Sequence, residues 1–193
     1  MKKNFYLLIA LIILSLQTGC LYAVRHDGPY HGKVVDEQTR EPIEGAVVLG
    51  WWNVHHFGLG GGYGTYHDAK EVLTDKNGEF TIPGQGLRIL SSLEPMDFLI
   101  FKAGYTYYQS QWMSLKVDIH RKDLIKWEGE MPIIPIRKLT DEERTKSVSF
   151  PPAPPAEASL NKVRLMLMEM NKEATVRGLE PINIWRGEKI WIK

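Results

Sequence analysis

The chain has almost no cysteine, no excess charge of either sign and no apolar run long enough to cross a membrane as a helix. Cys20 is the one cysteine in 193 residues, which excludes an intramolecular disulfide and leaves packing alone to hold the fold. The 24 Lys plus Arg are matched by 23 Asp plus Glu, a balance that excludes the basic stripe a nucleic-acid partner requires. The longest apolar run, residues 5–16, is broken only by Ser15; as a helix it spans about 18 Å, against roughly 30 Å of bilayer hydrocarbon. Also missing are a Gly-x-Ser-x-Gly elbow, the Walker and dinucleotide glycine spacings, and any repeat of solenoid period.

What is present begins with an address. Lys2 and Lys3 precede the apolar run, and Thr18-Gly19-Cys20 closes it with small residues, the order of an export signal. Leu16-Gln17-Thr18-Gly19-Cys20 resembles the lipobox of bacterial lipoproteins, with Gln17 standing where that class usually carries an aliphatic residue. The resemblance implies a signal peptide over 1–19, palmitate-type acylation of Cys20 and, with Leu21 next in line, sorting to the outer membrane. Two or more acyl chains give stable anchoring, since each buried methylene contributes about 0.8 kcal/mol. Residues 20–31 contain Gly28-Pro29 and read as a short tether.

From Gly32 the texture changes to short runs of Val, Ile, Thr, Phe and Tyr separated by turn residues, which predicts an antiparallel all-β domain. Val34-Val35, Ala46-Val47-Val48-Leu49, Phe98-Leu99-Ile100-Phe101, the alternating residues 114–119 and Ile133-Ile134-Pro135-Ile136 read as strands. Val72-Leu73-Thr74 and Glu79-Phe80-Thr81-Ile82 flank Asp75-Lys76-Asn77-Gly78, which reads as a hairpin with a tight turn. About seven strands over 32–137 predict a Greek-key β-sandwich. Four blocks, Gly32-Lys33-Val34-Val35-Asp36, Pro42-Ile43-Glu44-Gly45-Ala46-Val47-Val48, Thr74 to Ile82, and Lys102-Ala103-Gly104-Tyr105, resemble the carboxypeptidase regulatory-like (transthyretin-like) domain. That resemblance covers residues 31 to about 110 and implies the transthyretin-like sandwich.

Residues 50–70 form an insertion relative to that pattern, rich in Gly, Trp, His and Tyr. Trp51, Trp52, His55, Tyr63, Tyr66 and His67 are its candidate ligand-binding residues, because aromatics on a loop offer contact area at low entropic cost to a glycan or peptide. The alternative is that Trp51 and Trp52 continue a strand with one ring buried. His55, His56, His67 and Asp68 invite a metal, but adjacent histidines on a strand face opposite ways, so no metal and no cofactor is expected.

In the tail, residues 138–193, Thr140-Asp141-Glu142-Glu143 is a capping box and Pro151-Pro152-Ala153-Pro154-Pro155 a stiff spacer. Residues 156–177 carry Leu160, Val163, Leu167, Met170 and Ala174 at helical spacing, ending at Gly178. This amphipathic helix is expected to dock on the sandwich, with a partner-binding helix as the alternative. Residues 182–193 alternate as a small hairpin would.

These features predict a non-enzymatic lipoprotein of the cell envelope, an adaptor or ligand-binding module whose partners are the membrane and an envelope protein or glycan. The competing expectation is a small hydrolase, metal-dependent or of the hydroxyisourate type found within the transthyretin-like family. That branch's Tyr-Arg-Gly-Ser motif has only a faint echo here in Trp185-Arg186-Gly187-Glu188.

Overall fold

Strand β3 is apolar without interruption at its start because both of its faces are buried, and the rest of the architecture is arranged around it. The computed structural model describes residues 24–58, 61–116, 124–146 and 150–182. Ten strands follow in chain order: β1 (Val24–Asp27), β2 (Tyr30–Asp36), β3 (Val47–Gly58), β4 (Gly61–Leu73), β5 (Glu79–Ile82), β6 (Gly86–Ile89), β7 (Asp97–Phe101), β8 (Tyr108–Gln111), β9 (Lys126–Glu128) and β10 (Met131–Ile136). Two helices, α1 (Asp141–Thr145) and α2 (Arg164–Val176), complete it. Among the described residues no helix is long and apolar enough to cross a membrane.

The strands form an all-β sandwich. One sheet has the order β5-β2-β10-β9 and the other β4-β3-β7-β8, with β1 and β6 as a separate two-stranded ribbon. Successive side chains of a strand point to opposite faces, so Val48 and Trp52 of β3 enter the layer between the sheets, where they meet Val34, Phe80, Ile82, Phe98, Ile100, Ile134 and Ile136. Gly50 lies between them because a Cβ there would stand 2.6 Å from Met96 Sδ. The opposite parity, Val47 and Leu49 with Leu99 and Phe101 of β7, faces outward and is covered by Val163, Met166, Leu167 and Met170 of α2 and the turn before it.

Helix α2 therefore docks on the sandwich, as its stripe predicts. It lacks a side-chain cap of its own at Val163; instead Glu71 of β4 accepts from the backbone N–H groups of Leu165 (2.7 Å) and Met166 (3.0 Å), placing an anion at the positive end of the helix. At the other end Gly178 takes φ +68°, Leu179 N–H donates to Ala174 O and Gly178 N–H to Thr175 O, a Schellman closure. Helix α1 carries the expected reciprocal capping box of Thr140 and Glu143.

Several expectations are corrected. The Asp75–Gly78 turn forms, with Asp75 Oδ1 accepting from Asn77 and Glu79 N–H and Gly78 at φ +73°. Yet β4 and β5 do not make a hairpin: β4 pairs with β3 and β5 with β2, in opposite sheets. Val34 N–H donates to Gly78 O at 2.8 Å, which carries the chain across to β2. The Ser114 region is not a strand; residues Trp112–Lys116 form a 3₁₀ turn held by Trp112, packed on Tyr30, Phe80 and Phe98, and by buried Leu115, while residues 117–119 lie outside the described set.

The sheet is not wholly antiparallel, because β10 runs parallel to β2. The described residues hold ten strands where about seven are expected, and β1 together with the first two residues of β2 occupies the stretch read as tether. The proline run is not a spacer holding the helix away: Pro151 and Pro154 are buried, three apart as the threefold polyproline helix places them. The helical stretch is shorter than 156–177, with a 3₁₀ turn at Leu160–Lys162 before α2. The signal, Cys20 and the hairpin expected over 182–193 lie outside the described residues apart from Ile182.

Candidate functional site

The insertion at residues 50–70 is not a flexible loop but the body of a long β3–β4 hairpin. Its register runs from Val47 opposite Leu73 to Gly58 opposite Gly61, with a shift between Trp52 and Asn53 that leaves His67 as the extra residue of a bulge. β7 accompanies β3 only as far as Trp51 opposite Asp97, and residues 92–94 then take over, His55 N–H donating to Ser92 O and Glu94 N–H to Asn53 O. Beyond them the hairpin continues as a two-stranded arm.

The six candidate ligand-binding residues do not share one surface. Trp52 is fully buried in the core, beside Tyr30 and beneath the Lys70 ammonium, so it has no face for a ligand; one tryptophan is a core residue, as the alternative reading had it. Trp51 and Tyr66 pack on the helix-facing cluster. His55 has the same parity and places Nδ1 3.2 Å from Glu94 Oε1. His67, on the bulge, accepts from Arg88 Nη2 of β6 at 3.2 Å.

At the tip the two faces of the arm each carry an aromatic pair. On one, His55 meets Phe57 edge-on, centroids 4.8 Å apart. On the other, His56 stacks on its cross-strand neighbour Tyr63 at 5.2 Å and 22°, with His56 Nε2 2.8 Å from Thr65 Oγ1. Phe57 is 89% exposed and Tyr63 59%, whereas buried aromatics are the rule in a β-sandwich. The glycines at the tip make room for these rings, since a Cβ on Gly62 would stand 2.3 Å from His55 Nε2.

At the base of the arm lies a carboxylate pair that sequence reasoning missed. Burial, and then the neighbouring Glu94 charge, push the Asp97 carboxyl from its ordinary 3.8 up to about 6. The pairing of residues 92–94 onto β3 brings Glu94 to His55 and sets its charge near Asp97, a long-range register with no local signature beyond an acid opening an apolar strand. Asp68, also of the bulge, is ion-paired with Lys162 and accepts from Gln85 Nε2 at 2.9 Å. Burial opposes ionisation of Asp68, but the Lys162 and Gln85 contacts outweigh it and hold the carboxyl below the usual range. No group of three or more His, Cys, Asp or Glu among the described residues has the arrangement of a metal site.

No family model and no curated protein matches the chain. Among solved structures it is similar to a 3-chlorocatechol 1,2-dioxygenase from Rhodococcus opacus 1CP, at 17% identity and a TM-score of 0.32, over 58% of this chain and 59% of that one. A likeness at that score carries no argument about function.

Proposed function

We propose that this chain is an outer-membrane lipoprotein, acylated at Cys20, that acts at the cell envelope as a non-enzymatic adaptor or ligand-binding module and engages a protein or glycan through the tip of the β3–β4 arm. The observation that carries the reading is the tip itself: Phe57 and Tyr63, large aromatics on opposite faces of the β3–β4 hairpin, stand in solvent. Such rings bring contact area with little rotamer entropy to lose. The lipobox-like leader and the four regulatory-domain blocks support the address and the module type.

The test is capture of envelope partners by the full-length lipidated chain from detergent-solubilised membranes, together with sedimentation on isolated peptidoglycan. Phe57→Ala with Tyr63→Ala is expected to lose the captured partner while the thermal midpoint stays that of the parent. Undiminished capture of every partner by this variant would overturn the assignment to the arm.

A second reading, a small hydrolase of the hydroxyisourate or metal-dependent class, has one observation in its favour. Asp97, titrating near pH 6, neighbours Glu94, which contacts His55, and groups poised near neutrality are the material of acid–base catalysis. Turnover of any ester, amide or cyclic amide that is lost in His55→Ala and Asp97→Asn would favour it over the binding module.

A further inference from the structure

The β1–β6 ribbon wears its polarity inside out. Val24 opposes Ile89 and His26 opposes Leu87 on one face, while Arg25 opposes Arg88 on the other. In a ribbon packed on a protein the apolar face turns inward. Here the arginines turn inward: Arg25 donates to Leu93 O and Arg88 to His67 Nε2. The apolar side chains turn to solvent, with Val24 51% exposed, Leu87 62% and Ile89 63%. Leu90 adds to them at 83%, its backbone in the left-handed region at φ +47°, a conformation an L-residue adopts at a cost and which here sends two successive apolar side chains outward.

The ribbon is not a loose end. Asp27 at its root is buried, accepting from Tyr30 Oη at 2.6 Å and Gln85 N–H at 2.8 Å. Its position on the sandwich is thereby fixed.

We infer that this apolar face rests on the surface of the lipid bilayer. The inference depends on the Cys20 anchor proposed above, and the length of chain leading to the ribbon is what selects lipid as the occupant. Cys20 precedes Val24 by four residues, so even a fully extended connection separates them by at most about 14 Å. An acylated Cys20 therefore holds Val24 close to the headgroups, and Leu87, Ile89 and Leu90 are its neighbours. Among the described residues the outward face of the ribbon carries no titratable group but His26, which suits the acyl boundary and not an aqueous cleft. With the ribbon seated and rooted, the bilayer fixes the orientation of the whole sandwich, and the arm leaves from a defined height.

The experiment uses the full-length protein, purified with its native N-terminus and reconstituted into vesicles of phosphatidylethanolamine and phosphatidylglycerol. An environment-sensitive fluorophore is placed on Leu87→Cys or Ile89→Cys and, as control, on Val176→Cys, an exposed apolar position at the far end of α2. Mass spectrometry of the N-terminal peptide reports the state of Cys20 separately. With Cys20 acylated, the ribbon probes are expected to shift to the blue and lose iodide quenching several-fold on reconstitution, while the Val176 probe does not change. Ribbon probes quenched as fully as the control, in protein shown to be acylated, overturn the inference and leave the anchor standing. An unmodified Cys20 overturns the anchor and the inference with it. A Leu87→Asp, Ile89→Asp, Leu90→Asp variant, altered only at exposed positions, is expected to restore quenching at a Val24→Cys probe.

Discussion

The Arg144 guanidinium of α1 meets the Glu173 carboxylate of α2 at 2.7 Å, and the Glu173 side chain is fully buried. The same carboxylate accepts from Arg177 Nε at 2.8 Å and from Gly104 N–H at 2.8 Å, while Glu169 one turn earlier accepts from Ala103 N–H at 2.9 Å. Two helix carboxylates thus clasp the turn after β7. Burial opposes ionisation of Glu173, but the hydrogen bonds from Arg144, Arg177 and Gly104 outweigh it and hold the carboxyl below its ordinary range.

Glu173→Ala is accordingly expected to destabilise the protein by about 3 to 5 kcal/mol, since it leaves two arginines facing a buried, uncompensated site. The urea midpoint measures it. Because the folded carboxyl titrates below the unfolded one, its contribution is present above the ordinary glutamate range and lost as pH falls through the depressed value. The deficit of the variant should therefore narrow in acid.

Asp97 has the opposite sign. Its carboxyl is raised to about 6, so the folded state holds a proton that the unfolded state has released, and stability falls as pH rises from about 4 to 6. Asp97→Asn is expected to remove that slope and to be more stable than the parent above pH 6. Thermal midpoints measured from pH 4 to 8 would show parallel curves if Asp97 were in fact an ordinary carboxylate.

Gly78→Ala places a Cβ at φ +73° and 2.4 Å from Val34 O. The left-handed backbone alone costs about 1 to 2 kcal/mol, and the contact with a backbone atom adds to it because the turn cannot yield without moving β2. A loss beyond 2 kcal/mol in chemical denaturation is expected. A neutral result would show that the crossover from β4 to β5 is not tied at this point.

The two tryptophans and the tip separate folding from binding. Trp52→Ala empties a fully enclosed site and is expected to cost about 3 to 5 kcal/mol, whereas Phe57→Ala and Tyr63→Ala, in solvent, should stay within about 0.5 kcal/mol of the parent. Circular dichroism melts of the three variants decide this.

Much of the fold is legible in the sequence where the signal is local. Gly78 and Gly178 mark a turn and a helix end, Thr140 and Glu143 a helix start, and the spacing of Leu160, Val163, Leu167, Met170 and Ala174 gives the face that α2 buries. Where the outcome depends on pairing partners, local pattern fails. Nothing in Glu79-Phe80-Thr81-Ile82 says that its partner is β2 and not β4, since both choices bury Phe80 and Ile82. Ser114-Leu115-Lys116 alternates as a strand would, yet Trp112 and Leu115, three apart, are what the core takes up. The division of labour between Trp51 and Trp52 rests on parity: a shift of one residue in the register of β3 would exchange them. Glu94 reaches His55 only through a register set about forty residues away, so the site at the base of the arm had no sequence signature.

The parallel pair β2–β10 also joins two distant parts of the chain. Val34 lies beside Ile134, about 100 residues later in the chain, and loop-closure entropy over such a span must be met before that contact stabilises anything. β5 lies much nearer to β2 along the chain than β10 does, so the β2–β5 contact closes the shorter loop. Among the described residues only β10 covers the other edge of β2, whose N–H and C=O groups would otherwise be available to any other strand. Without β10, then, β2 would be an unprotected edge, and the residues that guard it against mispairing are the distant 133–136.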